Sequence, residues 1–392
     1  MRLGRPSGTR PERDLALPDV EHADVVVVGG GPAGAACAAA VRRTRPDADV
    51  LVLDRADFPR DKVCGDGISP EALDVLAGLG IDVGTLTDGF PAVRRLRLQG
   101  PRGTTVERET VRPSVVVPRA VLDGRLLAQV LAGGVRFQRH TVRSVAVHAD
   151  HVEVDGRFRA AVLVGADGAE SVVRRALGVA PNAPDRLAVA IRGYAPVLPG
   201  TDGVQVVTTT EQRWPAYAWS FPLGDGRANV GYGELVSGGV TRAELVAGLH
   251  RLLPGVEPAE LRAHRLPLST GRPRLPGGRV LLAGDARSLI NPLTGEGIFY
   301  AVLSGALAGV TSAQGAQAGQ VHRRLLRRRL GGHLRSCGLA SQLSRWPVLM
   351  DAAVRAAQDE QQVFDDVVRL GLADGRLTAR TLAGTARRLA FS

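Results

Sequence analysis

Several scarcities narrow the class of protein that this 392-residue sequence encodes. Its three cysteines, Cys37, Cys64 and Cys337, are widely spaced and form no CxxC pair or Cys/His cluster, which excludes a secreted disulfide scaffold and a structural zinc domain. Aromatic residues make up only 4% of the chain, and they do not alternate with the basic residues whose excess gives a net charge of +11. A nucleic-acid-binding protein is therefore not expected.

Long apolar runs are also absent. The longest nearly uncharged stretch, residues 25–41, is interrupted by glycines and a proline, so it predicts a strand, a turn and a helix rather than a membrane span. Residues 1–22 are rich in Arg, Pro and Asp and lack the apolar core of a signal peptide. We therefore expect a cytoplasmic protein with a disordered basic tail over residues 1–22 and no transmembrane segment.

Histidine and lysine give little on their own. The eight histidines form no close set, so we predict neither a catalytic histidine nor a metal site. Lys62 is the one lysine among 50 Lys+Arg, which makes its position informative. The arginines between 323 and 335 predict a solvated helix surface, and an anionic lipid surface or a substrate diphosphate is the alternative.

A βαβ unit opens the folded part of the chain. An apolar strand over 24–28 leads through a glycine turn into an alanine-rich helix over 32–43, and a second strand over 50–53 ends in Asp54. The pattern GxGxxG arises by chance in so glycine-rich a chain, but this context is the one that dinucleotide binding requires. The predicted cofactor residues here are Gly29, Gly31, Pro32, Ala33, Gly34, Asp54 and Arg55.

Two later segments also end apolar strands in an acid. Asp167 lies in a GADG sequence after a strand over 162–164, and Gly284-Asp285 follows a strand over 280–283. Both acids are positioned to accept hydrogen bonds from sugar-like hydroxyls. The glycines before Ile298 predict a helix N-terminus close to a flat ring, where its dipole would stabilise negative charge. The residues predicted there are Pro292, Gly295, Glu296, Gly297 and Ile298.

The remaining pattern predicts an α/β fold, in which a Rossmann-type domain is interrupted by an inserted antiparallel sheet and followed by helices. Strands are predicted over 93–98 and 104–109 as a hairpin, within 135–164 as an antiparallel meander, and over 188–194, 204–209, 216–222 and 228–232. Helices are predicted over 70–79, 118–132 and 298–310, from 314 onward, and over 347–372. The predicted nucleotide domain comprises 23–90, 112–185 and 276–312, the substrate domain 91–111 and 186–275, and the helical part 313–392.

Two segments carry a family resemblance. Residues 58–70, FPRDKVCGDGISP, and residues 217–222, YAWSFP, with NVGYG at 229–233, resemble the PxxKxCGxG and YxWxFP…NVGxG segments of geranylgeranyl reductases. With the glycine motifs in their order, the chain from about 23 to 310 resembles the wider para-hydroxybenzoate hydroxylase-like class of flavoproteins. The resemblance implies FAD as cofactor and NADPH or NADH as electron donor. It places Lys62, Cys64, Gly65, Arg119, Asp167, Gly284 and Asp285 at the FAD.

The resemblance implies a reductase that transfers hydride from reduced flavin to a carbon–carbon double bond of an apolar prenyl- or polyketide-like substrate. Cys64, Tyr217 and Trp219 are predicted to face substrate and flavin, and Cys64 either supplies a proton or packs against the substrate. An FAD monooxygenase that hydroxylates or epoxidises a natural product stays open on this scaffold, as does a flavoprotein without turnover. A flavin halogenase is disfavoured, because the lone lysine lies in the reductase-type segment.

The expected partner is an apolar small molecule, either free or associated with a carrier or a membrane. A membrane-held substrate would place the protein at the periphery of the membrane. The sequence predicts no oligomeric state.

Overall fold

The computed structural model describes residues 20–213, 215–237 and 239–390. The predicted tail over residues 1–22 therefore lies almost wholly outside the described residues, as does Trp214, one of the aromatics near the YAWSFP segment. The first strand begins at Glu21, earlier than predicted, because Glu21 and His22 pair with Phe158 and Arg159.

Within the described residues the chain forms fifteen strands and eleven α-helices. The strands are β1 (Glu21–Val28), β2 (Val50–Asp54), β3 (Gly67–Ile68), β4 (Ala92–Gln99), β5 (Thr105–Val116), β6 (Arg136–Arg139), β7 (Val145–Val147), β8 (Val152–Val154), β9 (Phe158–Gly165), β10 (Leu187–Pro196), β11 (Val204–Thr209), β12 (Tyr217–Pro222), β13 (Arg227–Leu235), β14 (Ala259–Pro267) and β15 (Val280–Leu282). The helices are α1 (Pro32–Thr44), α2 (Pro70–Gly78), α3 (Val83–Thr87), α4 (Arg119–Ala132), α5 (Val172–Ala176), α6 (Arg242–Leu252), α7 (Ile298–Ser312), α8 (Ala318–Leu343), α9 (Pro347–Asp359), α10 (Gln361–Leu372) and α11 (Ala379–Ala390).

The first sheet has seven strands and is parallel at its centre. The order is β6-β2-β1-β9, with β15 paired to the carboxyl end of β9 and the antiparallel β8 and β7 paired beyond its amino end. The valines of β1 and the apolar residues of β2 are buried, as expected for parallel strands covered by helices on both faces. The carboxyl ends of β1, β2, β9 and β15 therefore meet at one edge, where open α/β sheets bind ligands.

The second sheet has eight strands in the order β14-β10-β13-β12-β11-β4-β5-β3. Only β11 and β4 run parallel, and the other neighbours are antiparallel. α6 packs on one face, where Leu245 and Leu249 join a cluster with Ile191, Val230 and Tyr232. The opposite face is open to the space between the sheets. The predicted α/β class with its antiparallel insertion is confirmed.

Helices α1 and α7 pack closely, with the backbone of one against glycines of the other. A Cβ atom on Gly305 would lie 2.0 Å from the carbonyl oxygen of Ala33, and one on Gly309 would lie 2.3 Å from that of Cys37. Glycine is required at both positions because any side chain would force the helices apart. The N-termini of both helices lie at the ligand-binding edge of the parallel sheet.

The C-terminal part is helical, as predicted, but the single helix expected over 347–372 is wrong. α9 ends at Asp359, Glu360 is extended, and α10 starts at Gln361. Arg108 of β5 explains the break, because its guanidinium donates to the carbonyl oxygens of Ala357 and Gln358 and so satisfies the end of α9.

The strand partners in the predicted meander also need correction. β7, β8 and β9 form it, whereas β6 pairs in parallel with β2. Apolar alternation is the same for either partner, so periodicity did not distinguish them. Strands β3 and β14 and helices α3, α5 and α6 were not predicted, whereas α11 falls in the part predicted to be helical. No helix within the described residues is long and apolar enough to cross a membrane.

Candidate active site

A cavity of about 970 Å³ runs from the carboxyl edge of the parallel sheet, along the open face of the antiparallel sheet, to helices α8–α11. All the sequence-predicted site residues line it except Gly34 and Gly284. The lining predicted residues are Gly29, Gly31, Pro32, Ala33, Asp54, Arg55, Lys62, Cys64, Gly65, Arg119, Asp167, Tyr217, Trp219, Asp285, Pro292, Gly295, Glu296, Gly297 and Ile298. The structure therefore brings nearly the whole predicted set to one space.

The glycine turn after β1 forms a tight cradle. Gly29 has a φ of +106°, and a Cβ there would lie 2.3 Å from the carbonyl oxygen of Ala166. A Cβ on Gly34 would lie 1.8 Å from the carbonyl oxygen of Gly29, so Gly34 shapes the cradle from behind the cavity wall. The Asp54 carboxylate accepts from the Gly30 N–H at 2.8 Å, which ties β2 to the turn. α1 begins at Pro32 with no side-chain cap, leaving its first N–H groups directed at the cavity.

Two arginines flank this helix end. The buried Arg119 guanidinium donates two 2.6 Å hydrogen bonds to the buried Asp123 carboxylate. Arg60 lies 3.2 Å from the same carboxylate, stacks over Phe58 and borders Gly31. Burial alone would lower the pKa of Arg119, but Asp123 raises it overall, so the guanidinium stays charged. An uncapped helix N-terminus beside two cations attracts an anion such as a pyrophosphate.

The lone lysine is paired with the predicted acid of the third segment. Lys62 Nζ lies 2.9 Å from Asp285 Oδ2. Burial tends to raise the pKa of Asp285, but Lys62 outweighs it and the pKa is lowered, so Asp285 is held as a carboxylate. Gly284, whose N–H donates to Ser304 Oγ, supports Asp285 from outside the cavity.

Two hydrogen bonds fix the loop before α7, one at the start of that helix and one from Tyr217 of β12. Glu296 Oε1 accepts from the Phe299 N–H at 2.7 Å, while the Tyr217 hydroxyl donates to the Thr294 carbonyl at 2.5 Å. Burial raises the pKa of Glu296 to about 7, and the nearby Asp285 adds to that shift. The N-terminus of α7 follows Gly297 without a side-chain cap, so its N–H groups are available to a ligand.

Asp167 has a local partner set. Its carboxylate accepts from Ser171 Oγ at 2.5 Å and from the backbone N–H groups of Val172 and Val173 at 2.7 and 3.2 Å. It therefore stabilises the start of the short helix α5. Its predicted contact with a cofactor hydroxyl stays a prediction.

The Cys64 loop is held by side chains of the antiparallel sheet. Its carbonyl oxygen accepts from Arg192 Nε at 3.1 Å and from Asn229 Nδ2 at 2.8 Å. Arg192 also donates to the Lys62 carbonyl and to the Asp61 carboxylate at 2.8 and 2.7 Å. These contacts fix the backbone of the loop between the two sheets.

Asp66 is fully buried in this loop and adopts a φ of +61°, a conformation that Asp tolerates better than most residues. Its Oδ2 accepts from the Tyr194 hydroxyl at 2.6 Å and from Asn229 Nδ2 at 2.7 Å, while its Oδ1 has no partner. Burial raises the pKa of Asp66 to about 6 despite these bonds.

Cys64 is half-buried and lies among charges of both signs. Burial raises the pKa of its thiol and the Asp66 carboxylate adds to the effect, whereas Arg119, Lys62 and the Asp66 N–H act in the opposite direction. The net shift is upward, so the thiol is favoured over the thiolate at neutral pH. A thiol in this state is a proton donor rather than a nucleophile.

Tyr217 and Trp219 form one wall of the cavity. Their rings lie 5.9 Å apart, and Trp219 packs over Gly231, where a Cβ would lie 2.2 Å from its ring. The Trp219 Nε1–H donates to Asn229 Oδ1 at 2.9 Å. The Tyr217 hydroxyl and the Trp219 indole N–H both have hydrogen-bond partners within the protein. These two residues are therefore better suited to shaping the cavity than to transferring a proton.

Several residues at the site were not among the sequence-predicted set. They are Arg60, Asp66, Asp123, Arg192, Tyr194 and Asn229. Asp66 and Asn229 stand inside the two family-like segments, so the motif itself was a signal. An arginine inside the apolar strand AVAIRGYA was a second signal, because such a charge needs a buried partner.

The histidine pattern needs one correction. His148 and His151 do form a close pair, with stacked rings 4.4 Å apart on the β7–β8 hairpin, and Glu153 lies near them. None of the three lines the cavity.

Comparisons with known proteins agree with this geometry. A family model described as an FAD binding domain matches residues 22–214. The chain is 36% identical over 328 residues to a menaquinone reductase of Mycolicibacterium smegmatis, covering 75% of this chain and 77% of that protein. It is 33% identical to digeranylgeranylglycerophospholipid reductase 1 of Methanopyrus kandleri, covering 78% and 84%.

A solved structure shares the fold. It is a geranylgeranyl bacteriochlorophyll reductase-like protein from Thermoplasma acidophilum, with a TM-score of 0.77 at 20% identity, covering 94% of this chain and 97% of that one. The fold, the glycine cradle and the matched domain define an FAD-dependent oxidoreductase. More particularly, the chain belongs to the geranylgeranyl reductase family of these enzymes.

The residues present fit FAD. The cradle at Gly29 admits nothing larger than glycine, so a pyrophosphate can approach the backbone, and Arg60 and Arg119 supply positive charge beside it. Asp54 ends β2, where a carboxylate binds ribose hydroxyls. The uncapped start of α7 faces the cavity near Cys64 and Tyr217. The predicted FAD cofactor is supported by the matched domain.

Proposed function

We propose that this enzyme saturates carbon–carbon double bonds in the polyprenyl chain of an apolar lipid or quinone. The observation that carries the proposal is the shape of the cavity, which continues past Cys64 and Tyr217 into an apolar arm. That arm is lined by sheet residues and C-terminal helices, including Leu96, Leu98, Val207, Leu343, Leu349, Val354 and Leu389. About 970 Å³ lies at the upper end of the range for ligand pockets, which suits a cofactor together with a long substrate.

The relatives support this substrate class. Their names refer to a quinone and to a phospholipid that bears geranylgeranyl chains. An apolar arm suits such molecules because burying a hydrocarbon chain is favourable by about 25 cal/mol per Å². A polyketide-like substrate would need polar partners along the arm, where most of the lining is aliphatic and polar side chains such as Gln205, Thr209 and Ser344 are the minority.

Bound FAD, once reduced, supplies the hydride for this reaction. The protein supplies the proton, and Cys64 is the group that we assign to it, because its thiol lies in the cavity and is held in the protonated form. One alkene carbon gains the hydride, the other gains the proton, and the thiolate left on Cys64 regains a proton from solvent. Arg119 and the Asp66 N–H stabilise that transient thiolate.

Tyr217 and Trp219 complete the site by keeping water out of it. Trp219 is buried, and its indole N–H is satisfied by Asn229, so it presents an apolar ring face. Tyr217 fixes the loop before α7 through Thr294. Together they hold a flat alkene near Cys64 and keep water away from it.

We further propose NADPH or NADH as the electron donor. The assay is anaerobic mixing of the FAD-loaded enzyme with each nucleotide while the flavin absorbance is followed. Bleaching by one of them supports the donor assignment, and no bleaching by either contradicts it.

The substrate proposal is tested with enzyme reduced by dithionite under nitrogen and then mixed with menaquinone or a geranylgeranyl lipid. We expect the flavin to reoxidise and the lipid to gain 2 Da for each double bond, by mass spectrometry. Reoxidation by oxygen alone, with a product heavier by 16 Da, would instead identify a monooxygenase. Cys64→Ala is expected to keep FAD and lose turnover, while Cys37→Ala, in the core of α1, is the matched control.

We also propose that the protein binds a lipid surface. Leu339, Trp346 and Leu382 are 47, 57 and 45% exposed and stand beside cavity-lining residues of α8, α9 and α11. α8 has no acidic residue, and its arginines add positive charge beside this apolar group.

The measurement is co-sedimentation with vesicles of anionic and of zwitterionic lipid. Trp346→Ala is expected to weaken binding to anionic vesicles, while Val147→Ala, an exposed valine on the β7–β8 hairpin, is expected to leave it unchanged. Equal binding of both variants would contradict lipid contact at this surface.

A further inference from the structure

The cations around Cys64 each have a carboxylate of their own. Lys62 pairs with Asp285 at 2.9 Å, Arg119 with Asp123 at 2.6 Å, and Arg192 with Asp61 at 2.7 Å. Each carboxylate therefore offsets part of the positive charge that acts on the thiol. A cysteine beside so many cations would otherwise be expected to ionise readily.

Among the described residues, Asp66 is a carboxylate of the site with no cation at ion-pair distance, although Arg192 and Arg119 lower its pKa from farther away. Within the described residues no Lys, Arg or His lies at ion-pair distance from it, and its partners are the neutral groups of Tyr194 and Asn229. Its second oxygen has no hydrogen-bond partner. Asp66 is fully buried, so little water screens its charge from the neighbouring groups.

The covalent arrangement places this charge next to the thiol. Asp66 follows Cys64 by two residues in the loop that Arg192 and Asn229 clamp, and Asn229 Nδ2 donates both to the Cys64 carbonyl and to Asp66 Oδ2. The other ionisable groups that face the thiol are Lys62 from the same loop, Arg119 from α4 and Tyr217 from β12. Among these, Asp66 is the negatively charged one at neutral pH.

We propose that Asp66 is a positioning residue that keeps the Cys64 side chain in its thiol form and so preserves it as a proton donor. Its side-chain charge opposes loss of the proton from the thiol. Tyr194 and Asn229 hold the carboxylate in place. The inference deepens the proposed function and rests on it only for the use made of the proton.

The test is a titration of the thiol in the FAD-loaded enzyme. The rate of alkylation of Cys64 by iodoacetamide is measured from pH 6 to pH 11, with the labelled peptide located by mass spectrometry. Cys37 and Cys337 are fully buried and serve as internal references. Retained flavin absorbance reports that each variant is folded.

Asp66→Asn is the decisive variant, since it removes the charge while the amide oxygen still accepts from Tyr194 and Asn229. We expect the inflection of the alkylation profile to move down by about one pH unit or more. Asp66→Gly, which tolerates the positive φ, is expected to shift it in the same direction. The control is Asp74→Asn, which changes an exposed acid of α2 that pairs with Arg112 of β5. It is expected to give the wild-type alkylation profile.

An unshifted inflection in both Asp66 variants overturns the inference. The proposed function is tested separately, because alkylation needs neither substrate nor turnover. A shifted profile in Asp66→Asn together with full turnover in Cys64→Ala would uphold the electrostatic inference and reject Cys64 as the acid. An unshifted profile with an inactive Cys64→Ala enzyme would do the reverse.

Discussion

The buried carboxyl of Asp66 is expected to make the enzyme less stable as pH rises. Burial raises its pKa from 3.8 to about 6, so the folded protein binds this proton more tightly than the unfolded chain does. Between these two values the unfolded state releases the proton first. The free energy of unfolding therefore falls with rising pH, and the loss is complete above about pH 6.

The magnitude follows from the size of the shift. Two pKa units correspond to about 3 kcal/mol, of which about 2 kcal/mol develops between about pH 4.5 and about pH 7.5. Asp66→Asn cannot ionise and lacks this contribution. The difference in stability between the variant and the wild type is therefore expected to move by about 2 kcal/mol in favour of the variant over that interval.

Urea unfolding of both proteins at the two pH values, at one fixed FAD concentration, measures the difference directly. Other titrating groups are common to both proteins and cancel. Asp61→Asn is a matched control: Arg192 lowers the pKa of Asp61 although burial opposes ionisation, so Asp61 is ionised in the folded and unfolded states throughout this interval and its gap to the wild type is expected to stay constant. A constant gap between Asp66→Asn and the wild type across the pH range would refute the reasoning.

Two further predictions concern packing and charge. Gly305→Ala is expected to lower the free energy of unfolding, measured in urea, by about 3 kcal/mol or more, because its Cβ would meet the Ala33 carbonyl. The control Gly338→Ala has open space around it and is expected to be neutral or to stabilise the protein by up to about 1 kcal/mol. Equal effects of the two changes would contradict the tight helix contact. Arg119→Ala is expected to lower the free energy of unfolding by about 3 kcal/mol, because the buried Asp123 carboxylate would keep only Arg60 as a partner. Adding Asp123→Ala is expected to restore part of that stability. Purely additive losses would show that the pair is not coupled.

The fold was predictable largely because each parallel strand ends in a motif with a physical purpose. The glycine turn after β1, the acid that ends β2 and the Gly-Asp after β15 marked the ligand-binding edge before any contact was known. The break at Glu360 was not predictable from its neighbourhood. It depends on Arg108, about 250 positions earlier in the chain, whose side chain satisfies the end of α9.

The candidate site was likewise predictable from the sequence only in part. Cys64 and Lys62 stood out by residue type within a family-like segment, whereas the environment of Cys64 depends on side chains from distant strands. Asp66 was visible in the CGDG sequence, but its neutral hydrogen-bond partners, Tyr194 and Asn229, come from strands β10 and β13 and could not be inferred from that segment. The local sequence therefore identifies Cys64 as the proposed proton donor, and contacts from distant strands determine its surroundings.

The glycine contact between α1 and α7 has a consequence for how this enzyme can diverge. Both helices start at the cavity, so their two positively polarised ends are separated by a distance that backbone atoms fix, with no side chain between them to be enlarged or trimmed. Changes of substrate can accumulate on the antiparallel sheet and on α8–α11 without altering that distance. The spacing of these two helix ends is therefore set apart from the residues that line the rest of the cavity.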